Sequence, residues 1–357
     1  MNIARVKLHV FIPVFLLFFS YTFGVASNAL GDKPLLFRVA ILLVCASLLL
    51  LVKVKINLVK LAGLLCLLIF FISYFINSNA VLLLNFIYLS VILYYFYVTD
   101  VDKDDLLASA FYASYAVILL YILYSLTVGI DLSPVVIGDR TRYYFGFVNP
   151  NKVGIVAFSL IILTITFLIK RNPFLGFALC MPFLAAIILS GSRTALYSLC
   201  VFLLISCVSQ YHFRFILKKF IVVTPLLFLA CSLLLNYYHN DNYLNNILSN
   251  RPLDIHNFLS TLNSNNYVFG ANSDGFRVDN SYLLSYFSVG PLGWIFFIFF
   301  LAKAVRQDLS RVDVAFIYSM FAYGFMEGVL VRVEFPIILY FYYLIFGRIS
   351  KKPKIEA

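Results

Sequence analysis

Long apolar runs, cut by short polar segments, fill nearly the whole chain. A helix needs about 20 apolar residues to cross the hydrocarbon core of a bilayer. Runs of roughly that length fall at 8–26, 36–52, 61–77, 80–99, 106–128, 153–170, 174–190, 194–210, 220–237, 281–303, 313–331 and 335–347. They are continuous rather than alternating, which argues against barrel strands. The pattern predicts an all-α polytopic integral membrane protein with about twelve transmembrane helices. No polar stretch is long enough to bury a core of its own, so 1–357 reads as a single transmembrane domain. Two polar segments, near 129–152 and 238–280, are longer than the rest and predict large loops on one side. The first run follows Arg5 and Lys7 as a signal peptide would. It lacks a convincing small-residue cleavage site and reads as a retained first span.

Composition supports this class: 63% of residues are apolar and 12% charged, against about 45–50% and about 25% in ordinary soluble domains. The net charge of +11 would suggest nucleic acid in a soluble protein. Here the cations orient the helices, and no nucleic-acid partner is expected. The six cysteines all fall inside apolar runs, without a CxxC pair or Cys/His cluster, so neither a disulfide framework nor a metal site is expected. With a cytoplasmic N-terminus the 27 Lys and Arg residues divide 18 to 9, which places both termini in the cytoplasm. The kind of cation also divides. The inner set is mostly lysine; the outer set is Arg38, Arg140, Arg142, Arg193, Arg251, Arg277 and Arg332 with Lys33 and Lys152. Outer arginines run against the usual bias, and guanidinium forks match phosphate and carboxylate oxygens at two points. An anionic ligand on the outer side is one reading of the set; local carboxylates or lipid headgroups are the other.

Four segments carry candidate chemistry. In GDRTRYYFGFVNPNKVG (138–154), Asn149-Pro150 turns the chain and a helix starts near Asn151, its amides pointing outward beside Arg140, Arg142 and Lys152. A helix N-terminus beside arginines suits an anion, although a basic polar cap has the same pattern. In SGSRTALYSL (190–199), Arg193 falls in the first turn of a helix that Ser192 or Thr194 could cap. A cation there is unfavourable unless an anion offsets it. The segment 249–294 holds Arg251, Asp254, His256, Asp274, Arg277, Asp279 and Asn280. Asp279 is a helix cap, an arginine partner or a base for a hydroxyl proton. Glu327 reads as an ionisable group inside a span, with Arg332 its nearest structural partner. P-loop, HExxH and GxSxG patterns are absent and no DxD motif falls in an outer loop, which leaves no sign of ATP or a nucleotide sugar.

An arginine ahead of FGFVNPN, SRTA at a tight hairpin, and Arg251 followed by NYVFGANSDGF and VDNSYLLSYFSVGPLGW resemble the O-antigen polymerase and ligase superfamily over residues 135–305. Ligases resemble the last block but carry His before the Asn; this chain has Asp279, which favours a polymerase. The resemblance implies a helical GT-C-like fold, no cofactor and no metal. It implies a glycosyltransferase of the bacterial inner membrane that polymerises oligosaccharide repeat units on undecaprenyl diphosphate at the periplasmic face. A membrane chain-length regulator is a further implied partner, and O-antigen and capsule are both implied products. On this reading Arg142 and Arg193 clamp the diphosphate, with Arg140 and Arg251 secondary, and Arg277 also binds substrate. Asn149 and Asn151 shape the turn or bind sugar hydroxyls, and Asn280 binds substrate. Asp279, then Glu327, receives the acceptor proton. An O-antigen ligase and a non-enzymatic flippase are the alternatives.

Overall fold

A computed structural model describes residues 7–27, 29, 39, 43, 80–99, 101–129, 134–137, 140–169, 171–208, 211–271, 276, 278–306, 309–330 and 335–346. Apart from residues 39 and 43, the predicted spans 36–52 and 61–77 lie outside them, as do Arg277 and Arg332. The described chain is helical apart from one small hairpin. In order it forms α1 (Leu8–Phe19, continued as π-helix over Ser20–Ala26), α2 (Ala80–Val98), α3 (Lys103–Val128), β1 (Val135–Ile137) and β2 (Arg140–Arg142). Then come α4 (Pro150–Thr164, π-helical over Ile165–Ile169), α5 (Pro173–Ser190), α6 (Arg193–Val208), α7 (Tyr211–Phe220) and α8 (Thr224–Leu235). The chain ends with α9 (Asn242–Ile247), α10 (Arg251–Leu259), α11 (Ser264–Phe269), α12 (Ser281–Val305), α13 (Arg311–Met326) and α14 (Pro336–Phe346).

Among the described residues three helices are long and apolar enough to cross a membrane: Lys103–Val128, Pro150–Ile169 and Pro173–Ser190. A fourth span is possible if the pair Arg214–Phe220 and Thr224–Tyr238, bent by 55°, counts as one. Other expected spans are helices but shorter: Arg193–Val208 has 16 residues and Pro336–Phe346 has 11. In α12, Gly290 adopts φ 64° and ψ −173° ahead of Pro291, so the helix breaks midway. The basic stretch after α6, expected as plain loop, is the helix α7, whose Lys219 ammonium lies 4.3 Å from the centre of the Phe215 ring. The two large loops are also structured. The first holds the antiparallel pair β1–β2, a small departure from the expected all-α class; the second folds as α9, α10 and α11.

Local chemistry sets the helix ends. Asn149 and Asn172 each precede a proline and cap their helices, α4 and α5, through side-chain oxygens. Gly129 and Gly191 end α3 and α5 with left-handed φ of 70° and 61°. Helix α6 packs on α13, α4 on α5, and α1 on α3. Helix α4 is buried along most of its length, whereas α5 exposes Phe174, Phe177, Met181 and Ile188 outward, as a lipid-facing helix would. At the end of the bundle where α3 and α13 begin, the buried Asp313 accepts from Lys103 Nζ, from Ser310 N at 2.8 Å and from Tyr340 Oη at 2.9 Å. That carboxylate, the N3 member of a capping box with Ser310, ties α3, α13 and α14 together.

Candidate functional site

At the other ends of α4, α5 and α13, side chains from five segments join into one ring of contacts. Strand β2 runs past the C-terminus of α5, and Tyr143 N donates to Leu189 O at 3.1 Å. From β2, Arg142 Nε donates to Ser190 O at 3.0 Å and Nη2 to Gly191 O at 2.7 Å. Its guanidinium therefore sits on the terminal carbonyls of α5, where the helix dipole favours a cation. Two residues past Gly191 the chain reaches Arg193, whose Nη2 donates to Ser249 Oγ at 2.9 Å. Ser249 and Asn250 both have positive φ, 56° and 63°, and that turn delivers Arg251 to the start of α10. Arg251 is 9% exposed; its Nη1 donates to Leu248 O at 2.9 Å and its Nη2 to Glu327 Oε1 at 3.0 Å. Asn151 Nδ2, from the first turn of α4, donates to the same Glu327 oxygen at 3.0 Å. Gly154, one turn along α4, closes the ring: a Cβ placed there would lie 2.0 Å from Ser192 Oγ, between Gly191 and Arg193.

Arg142, Arg193, Arg251, Asn151 and Glu327 are thus linked directly or through the short segments Gly191-Ser192 and Ser249-Asn250. Several local expectations need correction. Glu327 is not inside a helix: it ends α13 in extended conformation, φ −146° and ψ 149°. Among the described residues it pairs with Arg251, 76 residues earlier in the chain; the Arg332 expected from sequence lies outside them. Asp279 does not cap α12. Asn280 does, its Oδ1 accepting from Tyr282 N and Leu283 N, both at 3.0 Å, because the amide stands one residue nearer the helix. Asn280 Nδ2 donates to Ser232 Oγ and Phe325 O, both at 2.8 Å. All four bonding positions of this buried amide are filled, so it is a structural residue rather than a sugar ligand. Asp279 lies half-buried one residue before it. Helix α4 starts at Pro150 rather than Asn151, with Asn149 Oδ1 accepting from Asn151 N at 2.8 Å. Neither expected cap of α6 acts as one: Ser192 Oγ makes no hydrogen bond among the described residues, and Thr194 lies inside the helix. Arg140 stands in β2 opposite Ile137, and His256 stacks on His239 with ring centres 3.6 Å apart.

Sequence reasoning passed over Ser249, Ser281 and the two glycines. Ser281 Oγ donates to Glu327 O at 2.7 Å and accepts from Leu330 N at 3.0 Å, which fixes the backbone on both sides of Gly328. Only Gly154, three residues after Asn151 on the same helix face, left a readable signal, as a small residue at a helix crossing.

The arrangement is cationic, with one partly buried ion pair. Arg251 Nε is buried without a hydrogen-bond partner among the described residues, so this arginine has donor capacity beyond its pairing with Glu327. Guanidinium groups beside the exposed start of a helix suit an anion carrying several oxygens. Among the described residues no group of three or more His, Cys, Asp and Glu side chains is placed to hold a metal ion. No family model, curated protein or solved structure matches the chain.

Proposed function

We propose that the protein is a metal-independent glycosyltransferase that polymerises oligosaccharide repeat units carried on undecaprenyl diphosphate. The observation that carries this reading is the ring joining Arg142, Arg193 and Arg251 to Glu327 and the N-terminus of α4. The reading also has about twelve spans, both termini in the cytoplasm and the ring at the periplasmic face of the inner membrane. The acceptor hydroxyl attacks the anomeric carbon of the growing chain; a new C–O bond forms there and the bond to the diphosphate breaks. The diphosphate leaves with the electron pair, and the hydroxyl proton passes to a base. A lipid diphosphate is already a good leaving group, so the chief demand on the protein is cationic stabilisation of its developing charge. Arg193 and the further donor capacity of Arg251 serve that end, and Arg142 orders the α5–α6 turn that carries Arg193. Asp279 is the base. Glu327, already accepting from Arg251 and Asn151, positions Arg251 instead.

The test is the surface polysaccharide of a deletion strain, resolved by size on a gel. A single-repeat band in place of the ladder is the expected result, restored by wild type and not by Arg193→Ala at equal expression. Long polymer left on the lipid carrier and missing from its final acceptor would identify a ligase. Repeat units held on the cytoplasmic side would identify a flippase.

A further inference from the structure

The stretch NYYHNDNYLNNILSN, residues 236–250, holds six asparagines and three tyrosines, and no lysine or arginine. Its polar residues divide into two sets. One set builds the segment. Asn236 O and Oδ1 meet His239 Nδ1 at 2.8 Å and His256 Nδ1 at 2.9 Å, and the two rings stack within 6° of parallel. Asn245 Nδ2 donates to His239 O at 2.6 Å, while its Oδ1 accepts from Leu253 N at 3.3 Å. Asp241 caps α9 by accepting from Tyr243 N and Leu244 N. These bonds fix the segment to α10, the helix that carries Arg251. The other set faces outward. Tyr237, Tyr238 and Tyr243 are 78%, 54% and 73% exposed, and Asn240, Asn242 and Asn246 are exposed beside them. Among the described residues none of these six side chains makes a hydrogen bond or ring contact.

We infer that this face binds the carbohydrate part of the lipid-linked substrate, beyond the arginine ring. The inference rests on the polymerase reading for the identity of the glycan. A sugar ring has an apolar C–H face edged with hydroxyls. A tyrosine offers a flat apolar face at small entropic cost, and an asparagine amide both donates to and accepts from a hydroxyl. The one carboxylate, Asp241, is already a helix cap, and an acidic partner would find no cation here. The surface runs in sequence straight into Ser249, the partner of Arg193, and Arg251. A glycan whose diphosphate lies at the arginines therefore has an uncharged surface to follow.

The probe is polysaccharide purified from the same strain, titrated onto the protein in lipid nanodiscs. Replacing Tyr237, Tyr238 and Tyr243 together by Ala is expected to weaken binding at least ~10-fold, while the triple Phe variant, which keeps the ring faces, binds as wild type. In cells the Ala variant is expected to give a shortened ladder, not a single-repeat band. If the triple variant is absent from the membrane, Tyr243→Ala alone decides, with about threefold weaker binding expected. Binding within the error of wild type for whichever Ala variant is produced overturns the inference. So does an equal loss in the Phe variant. An intact ladder in the deletion strain would instead overturn the polymerase reading and leave tyrosine-dependent binding as a separate result.

Discussion

Arg251 is buried and its partner Glu327 is partly exposed, so removing Glu327 leaves an uncompensated buried guanidinium. Glu327→Ala should destabilise the protein by about 3 kcal/mol, read as a clear fall in thermal midpoint in nanodiscs. The catalytic assignment predicts a separate contrast. Loss of a general base costs about 10²–10⁴ in rate. Asp279→Asn should therefore abolish the polysaccharide ladder, whereas Glu327→Gln, which keeps the shape and an acceptor for Asn151, should retain it. A ladder surviving Asp279→Asn and lost in Glu327→Gln would reverse the two roles. These residues were visible in the sequence as charges in an apolar chain, but their pairing was not. Glu327 looked like a mid-span carboxylate because the apolar run continues past it; the backbone turns extended there, and the acid finds an arginine from α10.

At the scale of elements, the site depends on how closely α4 approaches the α5–α6 turn. Gly154→Ala would drive a methyl group into Ser192, whose Cβ lies 2.4 Å from the new atom. Such overpacking costs about 1–3 kcal/mol and would push Arg193 away from Ser249. Loss of the ladder, with recovery in the double variant Gly154→Ala/Ser192→Gly, is the expected pattern. Failure of the second change to restore it would mean that the crossing is not what holds the turn. Apolar run lengths located most helices to within a few residues, and the Asn149-Pro150 pair gave one start. Spanning ability was less legible, because one backbone break, as at Gly290, divides a run that counting leaves whole. Helix α7 was hidden for the converse reason: its apolar and basic residues alternate around a helix, so the stretch never reads as an apolar run.

For the whole molecule, the cation asymmetry predicts which side each structured segment faces. Lys219 on α7 belongs to the inner set, and Tyr243 on α9 to the outer loop. In a background lacking native cysteines, Tyr243→Cys should react with an impermeant thiol reagent added from the outer face. Lys219→Cys should react only after the membrane is opened. The reverse result would place the arginine ring in the cytoplasm, where a lipid-linked donor flipped outward could not reach it. The large-scale class was the most legible feature of the sequence, since it depends on bulk hydropathy. The ring was the least, since it depends on pairings such as Asn151 with Glu327, 176 residues apart.

That separation bears on how the protein is made. A ribosome releases the chain from its N-terminus, and helices enter the membrane as they emerge. By the time α10 has been synthesised, three arginines of the ring are present, yet Arg251 lacks its partner Glu327 until α13 has passed. The growing chain thus carries its cations without a finished site through most of its synthesis. A nascent or truncated protein ending before Glu327 would occupy the membrane without a finished arginine ring.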